Sequence, residues 1–282
     1  MTPEISEFSY GFAVTSEIVG WATLKAAPIF PSLIEEGKVG GGYDVKLDMP
    51  GIPLYLQFKR ADCLVRTTAR EVRKDKLPLT VPFFRFPITH SEKLNQHSLL
   101  LTLDAGVNEV FYVAPKFHRV EDINTAWRSR SVVERSIFVR PRDLGRLDSA
   151  PHHVAYDNVR AYVCSQPRPI EHSTGASVVE HLRRKLADDS MPLRDRLREV
   201  RLSMHSAVST AREMASLQGQ FYQPSTGTTV AAHSEDSRLL VDGRVSMRAP
   251  LPVAEEYRDL RDIADSAMDV FETQFVIVQQ RG

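Results

Sequence analysis

Two short runs near the N-terminus alternate apolar and polar side chains with the period of two that a half-buried strand requires. In residues 44–49, Val45, Leu47 and Met49 fall on one side and Asp44, Lys46 and Asp48 on the other. In residues 53–60, Leu54, Leu56 and Phe58 face one way and Tyr55, Gln57 and Lys59 the other. Pro50-Gly51 between them is turn chemistry, so the pattern predicts a β-hairpin with a core face and a polar face. A turn centred there sets Asp44 opposite Gln57, at a Cβ separation of about 5 Å, with Lys59 two residues further along the same face. A one-residue slip in register would separate these groups.

The same periodicities predict the remaining elements. A helix is expected over 15–27, a strand over 81–88, a helix-compatible run over 91–103 and an apolar strand over 110–114. Residues 160–165 read as another strand, and Pro167 and Pro169 mark a boundary, giving regions 1–166 and 167–282. Beyond it, 176–217 carries apolar residues at helical spacing, with Pro192 as the natural break. Residues 225–245 lack a clear period and read as a loop or insertion, followed by a helix over 253–271 and an apolar end at 275–278. No internal repeat is evident.

An aspartate on one strand followed by Gln-X-Lys on the next, here Asp44, Gln57 and Lys59, resembles the PD-(D/E)XK nuclease superfamily and its Mrr-type restriction endonucleases. The coarse order of elements is similar to that superfamily's α-β-β-β-α-β core. The resemblance implies a restriction endonuclease-like α/β fold with a mixed sheet over 1–166, followed by a mainly helical C-terminal region. It implies a Mg²⁺-dependent nuclease, with Mn²⁺ as an alternative ion and DNA as the expected substrate. It also implies a further glutamate from the first helix, for which Glu17 is the candidate and Glu7 the runner-up. Restriction or phage defence is a role that rests on the resemblance alone.

The chemistry explains why such residue types are wanted. Cleaving a phosphodiester requires charge neutralisation and a water made nucleophilic near neutral pH, and a divalent cation supplies both. Magnesium takes oxygen ligands, so Asp44 is the principal candidate, joined by the Gln57 amide oxygen and the Phe58 carbonyl. Lys59 is the candidate for stabilising developing charge or orienting water. Glutamine at 57 in place of the commoner acidic residue removes a charge from the metal site and predicts weaker metal binding without substrate. The bland alternatives stay open: ordinary cross-strand pairing on an exposed sheet face for Asp44, Gln57 and Lys59, and a helix-dipole role behind a Thr15 or Ser16 cap for Glu17.

Composition adjusts this picture. The 36 Lys plus Arg balance 36 Asp plus Glu, so the net charge is zero, unlike a protein that coats nucleic acid non-specifically. Charge is nevertheless uneven: residues 59–76 hold seven basic side chains against three acidic, and 112–146 hold eight against four. Arg60 and Arg66 in the first stretch, and Gln96 on the helix that follows the third strand, are candidate nucleic-acid contacts. Salt-bridged surface is the alternative for each. Gly40-Gly41-Gly42 is followed by an expected strand and lacks Gly-Lys-Ser/Thr, which argues against a P-loop and for turn geometry or close backbone approach to substrate.

The two isolated cysteines, Cys63 and Cys164, give no zinc motif and suit a reducing compartment. The N-terminal residues lack the basic and apolar regions of a signal peptide, and no run approaches the ~18 apolar residues of a membrane helix, so a cytoplasmic protein is expected. His152-His153 with Asp157 suggests a metal cluster only weakly, because neighbours on a strand point to opposite faces. No Gly-X-Ser-X-Gly elbow supports a serine triad. A nuclease-like module that binds nucleic acid or protein without turnover is the competing functional class. Homodimerisation or partner binding is assigned to the C-terminal helices.

Overall fold

The computed structural model describes residues 1–29, 45–88, 96–104, 108–148, 150–217 and 257–281. Helix α1 (Glu7–Val19) begins behind Ser6, whose hydroxyl accepts the Ser9 N–H at 3.0 Å. Strands β1 (Leu24–Pro28), β2 (Ile52–Phe58) and β3 (Asp62–Leu64), the short helix α2 (Arg70–Arg73) and strand β4 (Phe83–Ile88) follow. Next come helix α3 (Gln96–Asp104), strand β5 (Glu109–Pro115), helix α4 (Val120–Ser129), strand β6 (Ser136–Val139) and the short helix α5 (Pro141–Leu144). Strands β7 (His152–Tyr156), β8 (Ala161–Val163) and β9 (Arg168–Ile170) precede helices α6 (Gly175–Ala187), α7 (Leu193–Leu217) and α8 (Arg258–Asp269) and the last strand, β10 (Gln274–Gln280).

The strands form two five-stranded sheets among the described residues, ordered β1-β10-β2-β5-β6 and β3-β4-β7-β8-β9. The second is antiparallel throughout. The first is mixed: β2 and β5 run parallel, while β10 is antiparallel to both β1 and β2. The chain is therefore α/β. Parallel neighbours need a crossover, and the chain from β2 to β5 passes through β3, α2, β4 and α3 before it returns.

Both faces of the first sheet are covered, which is why β2 and β5 are buried almost end to end. Leu54, Leu56, Val113 and Val276 pack under Tyr10, Val14 and Ile18 of α1 and Val178 and Leu182 of α6. Tyr55, Val110, Tyr112 and Phe275 pack on the other face with Leu99 and Leu100 of α3, Leu197 and Val200 of α7, Ile263 of α8, and Phe86 and Tyr156 of the second sheet. The C-terminal helices thus bury their apolar faces in the core they share with both sheets. No helix among the described residues is long and apolar enough to cross a membrane.

The expected hairpin is absent. Residues 45–49 form a turn, with the Met49 N–H reaching the Lys46 carbonyl at 3.3 Å, and the Gln279 amide bonds the backbone of Lys46 and Pro50. The place beside β2 is taken by β10, whose Gln274 stands opposite Leu56. A ladder partner for β2 needs a continuous apolar strand, and Phe275-Val276-Ile277-Val278 supplies a stronger one than the charged 44–49 segment. Asp44 and the glycines before it lie outside the described residues.

Two further expectations change. The helix expected over 15–27 starts earlier, at Glu7, and its second half is strand β1, held by pairing with β10. The strand expected over 81–88 forms as β4 but belongs to the second sheet. The boundary at Pro167 separates neither the sheets nor the cores, because β10 inserts between β1 and β2. Helices α6 and α7 do break at Pro192, and β5, β8 and β10 fall where the apolar runs placed them.

Candidate active site

Gln57 and Lys59 lie at the C-terminal end of β2, on the face that carries Tyr55 and packs towards α3 and the second sheet. Both are buried, at 3% and 6% exposure. Gln57 stands level with Tyr112 in the parallel ladder, and the Lys59 ammonium lies 5.9 Å from the centre of the Tyr112 ring. The Gln57 amide oxygen is buried with no hydrogen-bond partner, a costly arrangement for a strong acceptor. Burial pulls the Lys59 ammonium below the ordinary lysine range, while the charges of Glu7 and Glu272 oppose that shift.

The surrounding groups are fixed by bonds between distant parts of the chain. Gln96, the first residue of α3, donates from its amide to Glu272 Oε2 at 2.7 Å and to the Phe271 carbonyl at 3.3 Å. Glu272 leads into β10 and adopts a left-handed backbone, φ 49°. Beside Gln96, His97 is 2.7 Å from the Gly145 carbonyl through Nε2 and 2.9 Å from the Tyr112 hydroxyl through Nδ1. A carbonyl only accepts, so Nε2 carries the proton. Burial pushes the Tyr112 hydroxyl well up, so it stays protonated and donates to Nδ1.

The sequence-derived residues divide accordingly. Gln57, Lys59 and Gln96 gather at one end of the first sheet, and the Phe58 side chain between Gln57 and Lys59 turns to the opposite face, against Tyr10 and Gly11. Glu7 Oε1 accepts the Arg60 N–H at 3.3 Å, close enough to Lys59 to influence its charge. Glu17 points elsewhere: its carboxylate accepts the N–H groups of Val132 and Val133 at 2.8 and 3.2 Å. Arg60 and Arg66 are exposed. Glu272 and Tyr112 were not signalled as site residues. Their only trace in the sequence is a carboxylate just before the terminal apolar run and a tyrosine within the 110–114 run.

His152, His153 and Asp157 do not form a cluster. His152 Nδ1 meets the Ser165 hydroxyl and Nε2 bonds Asp148 at 2.9 Å, clipping the turn between β8 and β9 to the segment before β7. Asp157 accepts the N–H groups of Thr80, Val159 and Arg160. Among the described residues, no three His, Cys, Asp or Glu side chains converge so as to hold a metal ion.

A second concentration of charge lies at the start of β5, where the end of α3 meets α5 and α6. Asp104 and Glu109, both buried, are met by Arg140, Arg142, His181 and Lys185. The Arg140 guanidinium stacks on Phe111, 4.6 Å from the ring centre. The uneven charge over 112–146 signalled the two arginines, and nothing in the pattern signalled their partners.

In comparisons with protein-family models, curated proteins and solved structures, nothing matches this chain.

Proposed function

We propose that the protein is a metal-dependent nuclease that hydrolyses phosphodiester bonds, with DNA as its substrate. The observation that carries this reading is the buried, unpartnered Gln57 amide oxygen on the same strand end and face as the desolvated Lys59. An oxygen ligand held dry without a protein donor suits a hard cation such as Mg²⁺ or Mn²⁺. Glu272 supplies a carboxylate close enough to Lys59 to act on its charge, and the Phe58 carbonyl is a further candidate ligand; the hairpin that set Asp44 opposite Gln57 is not formed, and Asp44 enters only as a variant to test. The bound cation would neutralise phosphate charge and lower the pKa of a coordinated water.

The chain's own residues divide the remaining work. Lys59 places a positive charge where negative charge develops on the phosphate, in a setting where burial strengthens it. Tyr112 and the covering helix α3 exclude water behind the ammonium, and the Gln96–Glu272 bond fixes a carboxylate that acts on Lys59. The exposed Arg60 lies next to Lys59 in the chain, where it can meet a phosphate backbone. The β2–α3–β5 return with parallel pairing supports a restriction endonuclease-like core, in which β10 occupies the position beside β2 that the sequence assigned to 44–49.

The test is cleavage of plasmid, linear and single-stranded DNA with Mg²⁺ or Mn²⁺, beside Lys59→Ala, Gln57→Ala and Asp44→Ala. Metal-dependent cutting lost in Lys59→Ala is the expected result. Unchanged cutting in that variant removes the mechanism. A binding module without turnover is the second reading, favoured by the lack of a three-residue metal cluster among the described residues. Absence of Mn²⁺ binding by titration calorimetry, together with no cutting by folded protein, would select it.

A further inference from the structure

We propose that the cavity between the start of β5, the short helix α5 and helix α6 binds a dianionic phosphate monoester, such as that of a nucleotide or a nucleic-acid end. The cavity has a volume of about 580 Å³ and its walls carry Arg140, Arg142, His181, Arg184 and Lys185 around Glu109. A volume of this order holds a ligand of nucleotide size. The inference goes beyond the nuclease reading and does not depend on it. Glu109 pairs with Leu54, three residues before Gln57 meets Tyr112, and its side chain shares the face of Phe111 and α6, opposite to that of Lys59.

The charge arithmetic selects the ligand. Arg140 and Lys185 both bind Glu109, the latter at 2.7 Å, and Arg142 binds Asp104 at 2.6 Å. Those three cations answer two carboxylates, and Arg184 adds a fourth on the wall. Its own contact, with Glu180 at 3.8 Å, is loose, because Arg183 takes that carboxylate at 2.9 and 3.0 Å. Asp143 on α5 also faces Arg140 and Arg142 and answers one of these charges. Four cations against three carboxylates leave the wall net positive, which favours an anionic ligand, and the planar guanidinium groups favour phosphate.

Geometry agrees with charge. Guanidinium forks bind phosphate oxygens in pairs, and Arg140, Arg142 and Arg184 all line this cavity. Arg140 is pre-set by stacking on Phe111 and by its two carboxylates, so little side-chain freedom is lost when it binds. Ser177, in the first turn of the 13-residue helix α6, lines the end of the cavity away from Arg184 and Lys185 in the last turn. Phe111 and Val178 supply the apolar contact that a nucleoside or sugar uses.

Titration calorimetry in metal-free buffer tests this with inorganic phosphate, adenosine 5′-monophosphate, adenosine, and a short oligonucleotide with or without its 5′-phosphate. The phosphorylated ligands are expected to bind at least tenfold more tightly than their unphosphorylated partners. Preference for the mononucleotide or the oligonucleotide identifies the source of the phosphate. Arg184→Glu, at a side chain 69% exposed, should weaken binding about tenfold or more, whereas Arg183→Glu, 57% exposed and outside the cavity wall, should change it less than twofold. The difference between adenosine 5′-monophosphate and adenosine is read without metal and without cleavage, which keeps the outcome distinct from that of the nuclease assay. Equal binding with and without the phosphate, or equal losses in Arg183→Glu and Arg184→Glu, overturns the proposal.

Discussion

Gln96 and Glu272, far apart in the chain, are joined side chain to side chain at 2.7 Å, tying the first residue of α3 to the turn that enters β10. The same amide also reaches the Phe271 carbonyl, so two elements that the sequence alone leaves unrelated are joined near Lys59. Glu272 is held there at φ 49°, a conformation that costs a non-glycine residue about 1 kcal/mol. Glu272→Gly relieves that cost while it removes the carboxylate and the Gln96 bond. The expected outcome is stability within about 1 kcal/mol of wild type by chemical denaturation, together with a clear loss of metal-dependent DNA cleavage. Cleavage at the wild-type rate would remove Glu272 from the site.

Lys59 gives a pH-dependent prediction with a definite sign. Burial lowers its folded pKa below the ordinary 10.5, so the folded state bears the cost of the buried charge at every pH below that lowered value. As pH rises through it towards 10.5, the folded protein releases the proton first and the cost disappears. Lys59→Met should therefore be more stable than wild type at neutral pH, with the gap closing as pH approaches 10.5. Thermal melts of both proteins across that range measure it. A gap that is constant with pH would mean the ammonium is not desolvated. In the cleavage assay the same substitution should cost about 10²-fold or more, the scale of losing one transition-state charge contact.

Glu17 behaves as a structural residue. Its carboxylate accepts two backbone N–H groups where the turn after α4 enters the core, and Val132 beside it is fully buried. Glu17→Ala leaves those donors unpaired and should destabilise the protein by about 1–3 kcal/mol, while cleavage per folded molecule stays unchanged. The role in the metal site that the family resemblance implied predicts the reverse, near-normal stability with lost cleavage. Denaturation and cleavage measured on one preparation separate the two.

The parts that were legible share a cause. Helices α6 and α7, broken at Pro192, and the apolar strands β5 and β10 are specified by local pattern, and they form where the pattern says. The hairpin failed because alternation reports that a segment is able to be a strand, not which strand it joins. The partner of β2 is β10, encoded more than two hundred residues away. The same alternation placed Tyr55, Gln57 and Lys59 together on one face correctly, but that face is interior, a fact fixed by α3, α7 and the second sheet. Strand β1 was misread because Lys25-Ala26-Ala27 has helical propensity and becomes a strand only by pairing with β10. Site residues contributed by such long-range pairings, Glu272 above all, carry no local signature.

Glu109 links the basic cavity to acid stability. Burial pushes its carboxyl up, yet the bond from Lys185 and the charges of Arg140 and Lys185 outweigh that and hold it below the usual 4.5. A lowered folded pKa means a stabilising contribution that is fully present above pH 4.5 and lost as pH falls through the folded value. Glu109→Gln keeps the shape but leaves Arg140 and Lys185 facing a neutral amide. Arg140 retains Asp104 and Lys185 is partly solvated, so the cost at neutral pH should be up to about 3 kcal/mol, below that of a fully buried broken pair. Denaturation from pH 7 down to pH 3 should show the wild-type advantage shrinking below pH 4.5. An advantage that persists unchanged at pH 3 would mean the network is held by packing, not by charge.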